Sequence, residues 1–171
     1  MSILKTAKKR YSVRNYKEQP IEEETLNQIL EAAHVAPTAA NLQPVRLLVV
    51  KSKEAREKLS LAANIYNAPV CVIVCADSSA AWERPFDGKT TEDIDASILT
   101  DHMMLTAAEL GIGSVWICYF KPDVVKEQFQ LPDNLVPINI LALGYPADSQ
   151  AADCNRHNTQ RIPMNTLVQY F

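Results

Sequence analysis

The chain has 171 residues, enough for one domain with a sizeable core. Its 47% hydrophobic and 22% charged residues are those of an ordinary globular protein, and 17 Lys+Arg against 20 Asp+Glu give a net charge of −3. Nothing global therefore draws it to nucleic acid or to an anionic membrane. No signal-peptide pattern is visible and the apolar runs are too short to span a bilayer, so the reading is a cytoplasmic protein with no membrane or nucleic-acid partner.

Ser2 is a candidate N-cap for a short helix over 2–9, with Ile3, Leu4 and Ala7 on one face. The stretch Lys8 to Tyr16 (KKRYSVRNY) follows. It belongs to a local positive block in which Lys5, Lys8, Lys9, Arg10, Arg14 and Lys17 all precede the first acid, Glu18. In an extended segment residues i, i+2 and i+4 point the same way. Arg10, Ser12 and Arg14 would then converge on one phosphate through charge-assisted bonds. A solvated basic arm is the alternative, and the pattern alone leaves both open. Residues 15–20 form a connection.

From Glu22 to Ala36, Leu26, Ile29, Leu30 and Ala33 fall at helical spacing, with glutamates in the first turn and Pro37 as a stop. The loop Ala36-Pro37-Thr38-Ala39-Ala40-Asn41-Leu42-Gln43-Pro44 carries two amides that can donate and accept, which suits the edge of a heterocycle or polyol. It also reads as a plain connection built on Asn and Pro. A strand is expected over Val45–Lys51, a helix over Lys53–Ala63 capped by Ser52, and a buried strand over Val70–Ala76. Residues 77–91, with Trp82 and Phe86, are irregular.

Glu92 to Leu110 is a long helix, apolar most of the way round, which implies burial between layers or at an interface. Glu92, Asp93 and Asp95 read as partners of its dipole, and His102 as a packed or interface residue. Gly111 ends it. Gly113 permits a close approach of backbone or of a flat ligand. A strand over Val115–Tyr119, a helix from Pro122 to Phe129 and a strand over Ile138–Leu143 follow. The tail from Tyr145 is polar, with Arg156, His157 and Arg161, until the closing NTLVQYF. Strands alternating with helices argue an α/β or α+β layered domain.

Only four glycines occur, with no GxGxxG and no P-loop, so a phosphorylated cofactor would have to be held by side chains. The four cysteines form no CxxC or zinc spacing. Cys71 and Cys75 would share a strand face about 13 Å apart, too far to bridge, and reduced core thiols are expected. Cys118, without a neighbouring histidine, is not expected to be a nucleophile. No Ser/His/Asp set and no carboxylate dyad stands out, so no catalytic side chain is assigned.

Taken in order, these stretches resemble the nitroreductase family of FMN-dependent oxidoreductases. Arg10–Tyr16 is similar to its R-x-S-x-R-x-[FY] opening, Ala36–Pro44 to its A-P-S-x-x-N-x-Q-P-W loop, and Leu110–Ile117 to its L-G-[LI]-G-s-x-W-I element. Ile140–Pro146 (ILALGYP) and Arg161 complete a resemblance that covers nearly the whole chain. It implies a three-layer α+β fold: a central, mostly antiparallel sheet of four to five strands flanked by helices. It implies one domain, 1–171, with a core over 1–150 and a domain-swapped C-terminal arm over 151–171 packed on a partner subunit. The resemblance also implies a homodimer with two FMN sites at the interface and helix 92–110 in the dimer core.

On that template Arg10, Tyr11, Ser12, Arg14 and Arg161 would hold the FMN phosphate and ribityl chain. Pro37, Thr38, Ala39 and Asn41 would come from the other subunit, with Gln43 nearby. Ile117, Cys118 and Tyr119 would run beside the isoalloxazine. NADH or NADPH would be the donor in a ping-pong reaction reducing nitroaromatics, quinones or another flat aromatic acceptor. Three departures stand out: Val45 where the family often has Trp, Thr38 for Ser, and Cys118-Tyr119 where glycine is common. Alternatives are a specialised flavin enzyme of the same fold (a dehydrogenase or a flavin-cleaving one) and a basic-armed binding module.

Overall fold

Strand β2 (Val70–Asp77) is the spine of the fold, buried along all but its last residue. In the computed structural model, which describes residues 2–147 and 156–171, it pairs antiparallel with β1 (Val45–Val50) on one side and β4 (Leu135–Gly144) on the other. β4 in turn pairs antiparallel with β3 (Gly113–Ile117), giving the order β1-β2-β4-β3. Cys154 and residues 151–155 of the expected arm lie outside the described residues.

Period-2 alternation along β2 divides the core into two layers. Val70, Val72 and Val74 pack with Leu26 and Ile29 of α2 (Glu23–His34) and with Leu99 and Met103 of α4 (Glu92–Glu109). Cys71, Ile73 and Cys75 pack with Leu59 of α3 (Lys53–Ser60) and Val125 of α5 (Pro122–Phe129). The sheet is thus covered on both faces, which is the α+β three-layer arrangement expected. Cys71 and Cys75 are buried free thiols on one face, as expected, but Cys118 is exposed.

Helix α1 (Ile3–Lys9) is capped by Ser2, whose Oγ accepts the Lys5 N–H at 3.3 Å. Ser52 likewise caps α3. Gly111 ends α4 with φ +79°, and β3 begins at Gly113 rather than Val115 because Gly113 pairs with Gly144. β4 begins three residues before the expected Ile138. Pro137, a residue that argues against a central strand, sits where the β2–β4 register shifts between Val74 and Cys75, so its missing N–H falls at a bulge.

The buried face of α4 carries Ala96, Leu99, Met103, Met104 and Ala107, while Ile94, Ile98, His102 and Leu105 form a partly covered outer stripe. The tail adds two short helices, α6 (Arg156–Thr159) and α7 (Met164–Leu167). Its apolar residues Ile162, Met164, Leu167, Tyr170 and Phe171 are all exposed.

Candidate functional site

Residues 10–16 run as extended chain beside β3. Ser12 bridges Ser114 in parallel, Val13 N–H donates to Ser114 O at 2.9 Å, and Ala147 N–H donates to Asn15 O at 3.0 Å. Val13 and Tyr16 turn inward and are buried; Ser12 and Arg14 turn outward. Gly113 makes this possible: a Cβ there would lie 2.8 Å from Val13 Cγ2 and 3.0 Å from Pro146 Cγ. The close approach expected of Gly113 is therefore that of the 10–16 segment.

The outward side chains open onto a cavity of about 460 Å³. Arg10, Tyr11, Ser12, Arg14 and Arg161, all named as candidates from the sequence, line it together with two residues not assigned there, Arg156 and Gln160. Arg10 is only partly exposed. Burial, then the neighbouring Arg156 and Arg161 guanidiniums, push its pKa below the ordinary arginine value, with Asp101 acting the other way. An anion entering this cavity relieves that repulsion. The Arg14 guanidinium lies over the Tyr66 ring, 6.0 Å from its centroid.

Helix α6 fastens the tail to this cavity. Arg156 Nη2 donates to Lys8 O at 2.8 Å and to Arg10 O, and His157 Nε2 meets Lys8 O at 2.9 Å. These carbonyls end α1, where a cation also suits the helix dipole. The signal for Arg156 was present, a second arginine five residues before Arg161 in a polar tail. Nothing in the sequence pointed to Tyr66.

The amide loop lies elsewhere. Thr38 and Gln43 line a second cavity of about 550 Å³ with Leu42, Val45, Arg46 and Leu30. Ala39–Asn41 form one 3₁₀ turn, and Ala40, Asn41 and Gln43 all have left-handed φ, of +49°, +55° and +53°. Pro37, Asn41 and Gln43 are exposed and Ala39 is half-buried. The Gln43 N–H donates to Thr38 Oγ1 at 3.0 Å, and the Ala39 N–H donates to Asp95 Oδ1 at 2.9 Å. Asp95, expected as a partner of the helix dipole, does lie in the first turn of α4 and is 1% exposed.

The third set sits at the end of β3. Ile117 is buried in the α3/α5 layer, Cys118 is exposed, and Tyr119 is 97% exposed.

A single chain does not gather these sets into one cleft. The arginine cavity and the loop cavity share no lining residue. The loop precedes β1, at one edge of the sheet, and residues 10–16 flank β3, at the other. Helix α4 measures the gap: the loop is tied to Asp95 near its start, and α1 to Glu109 at its end, where Thr6 Oγ1 donates to Oε2 at 2.6 Å. At 1.5 Å per residue those attachment points are about 21 Å apart.

The sequence matches the Nitroreductase family model over residues 7–65 and 59–145. It is 35% identical over 170 residues to an NADH dehydrogenase/NAD(P)H nitroreductase of Archaeoglobus fulgidus, covering 93% of this chain and 95% of that protein. It is 32% identical over 168 residues to the FMN reductase [NAD(P)H] of Bacillus subtilis, covering 87% of this chain and 68% of that one. A crystal structure of a nitroreductase family protein from Clostridium difficile superposes with a TM-score of 0.96 at 52% identity, covering 99% and 98% of the two chains.

Proposed function

The chain belongs to the nitroreductase family, and on that premise we propose that it is an FMN-dependent NAD(P)H oxidoreductase working as a homodimer. The observation that carries the proposal is the arginine cavity. Arg10, Ser12, Arg14 and Arg161 open onto one space with Arg156, and the pKa of the half-buried Arg10 is lowered by burial and then by the Arg156 and Arg161 guanidiniums. That donor set fits a phosphate dianion better than a carboxylate or a neutral ring. It also favours a clamp over a solvated basic arm, whose side chains would fan into water.

FMN bound there would supply two-electron transfer, taking reducing equivalents from NAD(P)H and passing them to a flat nitroaromatic or quinone-like acceptor in alternating half-reactions. The chain's own part is binding and orientation. Arg10, Ser12, Arg14 and Arg161 hold the phosphate, with Tyr11 beside them. Ile117, Cys118 and Tyr119 would run beside the ring. Pro37, Thr38, Ala39, Asn41 and Gln43 would come from the second protomer, a reading supported by their lying at the other end of α4 from the arginine cavity within one chain.

Two features support the dimer. The outer stripe of α4 (Ile94, Ile98, His102, Leu105) is incompletely covered, and the apolar tail residues from Ile162 to Phe171 are exposed. Both suit burial against a second copy, with residues 162–171 reaching the partner; the expected arm is narrowed to these, since Arg156 and His157 bond to Lys8 and Arg10 of their own chain. The outer edge of β1 pairs with no strand among the described residues and is open to such an arm.

The test is spectroscopic. Purified protein, or apoprotein given FMN, should show the absorbance bands of oxidised flavin and lose them when NADH or NADPH is added without oxygen. A colourless protein that takes up no FMN would sink the proposal.

A further inference from the structure

We propose that Asp95 is a positioning residue for the cofactor: its buried carboxylate sets the left-handed loop 38–43 in the shape that meets the flavin ring. The proposal rests on the FMN reading above and deepens it.

The loop is costly to hold. Ala40, Asn41 and Gln43 each occupy left-handed φ without being glycine, a conformation that crowds Cβ against the following carbonyl. Several bonds within the loop are short-range and exposed: Gln43 N–H to Thr38 Oγ1 at 3.0 Å and Gln43 Nε2 to Asn41 O at 3.2 Å. Bonds of that kind compete with water and do not fix the loop against the body of the protein.

Asp95 supplies that fixture. It sits in the first turn of α4, is 1% exposed, and accepts the Ala39 N–H at 2.9 Å on Oδ1. A charged acceptor for a backbone N–H in a water-poor place makes a short, strong bond, and the start of α4 favours the negative charge. The second oxygen is also used: Thr91 Oγ1 donates to Oδ2 at 3.1 Å. Thr91 N–H in turn donates to Trp82 O at 3.0 Å. One carboxylate therefore fixes both the loop and the segment that enters α4. Strain concentrated in an exposed loop, held by one buried charge, is what a pre-shaped binding edge requires.

Asp95→Asn tests this in the full-length protein. It keeps the shape of the side chain but removes its charge, and one terminal atom becomes a donor. FMN affinity of the apoprotein should fall about tenfold. Amide exchange at Ala39 and Gln43, read by NMR in the apoprotein, should quicken while core amides of β2 stay protected. Adding Ala40→Gly, which lightens the left-handed cost, should recover part of the lost affinity. Ala39→Pro is the independent variant: it deletes the N–H that Asp95 accepts and turns a ring carbon toward Oδ1, so the tie cannot form, after a Thr38 whose φ −130° and ψ 160° suit a residue before proline. It should likewise weaken FMN. A merely structural Asp95 predicts a lower melting temperature with FMN affinity, measured well below it, unchanged. That result, or unaltered exchange at Ala39, would overturn the proposal. Wild-type protein that takes up no FMN would instead refute the parent reading, and the exchange experiment would still decide whether Asp95 holds the loop.

Discussion

Arg14→Ala separates a phosphate clamp from a general basic surface. Arg14 is exposed in the protomer and stands over Tyr66, whereas Arg10 is partly buried. A hydrogen bond to a charged group contributes ~1.5–3 kcal/mol, and solvent exposure places Arg14 at the low end of that range. At 1.4 kcal/mol per tenfold, FMN dissociation constants should rise about tenfold for Arg14→Ala. Arg10→Ala, which removes the less exposed guanidinium, should cost more, up to about 100-fold. The cation–π contact at 6.0 Å is long and exposed, so unfolding free energy should change by less than about 1 kcal/mol. The assay is titration of apoprotein with FMN, followed by quenching of flavin fluorescence. Riboflavin is the control, since it has the ring and ribityl chain without the phosphate. The variant should bind riboflavin as the wild type does. An unchanged FMN affinity, or equal losses for FMN and riboflavin, would refute the phosphate role given to Arg14.

Three further outcomes follow from the packing and the charges. Gly113→Ala should lower unfolding free energy by ~1–3 kcal/mol in denaturant titrations, because its Cβ would meet Val13 and Pro146 at 2.8 and 3.0 Å. It should also weaken FMN by displacing Arg14 and Ser12; a neutral substitution would mean the 10–16 segment is not held against β3. Burial pushes the Cys71 and Cys75 thiols up to about 12. Peptide mapping after alkylation of native protein at pH 8 should therefore find Cys118 modified, Cys71 and Cys75 spared, and Cys118 slowed by bound FMN. Arg84 pairs twice with Asp87, at 2.7 and 2.5 Å, and holds that carboxyl below its ordinary 3.8. A depressed carboxylate stabilises above its unfolded pKa and loses that contribution as pH falls through the folded one. The 83–90 turn should thus keep its NMR chemical shifts at neutral pH and change them as pH falls below about 3.8, with Arg84→Gln moving the transition to higher pH.

The sequence carried most of the fold because local signals agreed with tertiary ones. The apolar spacing of Leu26, Ile29 and Ala33 gave α2, the caps Ser2 and Ser52 gave two helix starts, and the all-round apolar character of 92–110 matched a helix packed on the sheet with a second stripe left open. Where reading failed, distance in sequence was the cause. Pro137 hid three residues of β4 because a bulge against β2 absorbs its missing N–H. Asp95 looked like one of three interchangeable acids, and only folding shows that it alone is buried and takes a backbone N–H from 56 residues away. The grouping of Arg10, Ser12 and Arg14 was legible from their alternation, whereas Arg156 was visible in the polar tail but given no role, because its partners are backbone carbonyls at Lys8 and Arg10.

In the proposed dimer each FMN would be held by residues 10–14 and 161 of one protomer and the 37–43 loop of its partner. Mixed dimers test it directly, using Arg14→Glu in one chain and Asn41→Glu in the other, both exposed in the protomer and so able to change without disturbing the core. Each variant alone should lose FMN. If the site is shared, the mixed dimer collects both lesions in one site and leaves the other whole, and differently tagged, co-purified mixed dimers should bind about one FMN per two chains at wild-type affinity. Mixed dimers that bind none, or a monomer that holds FMN unaided, would contradict the account.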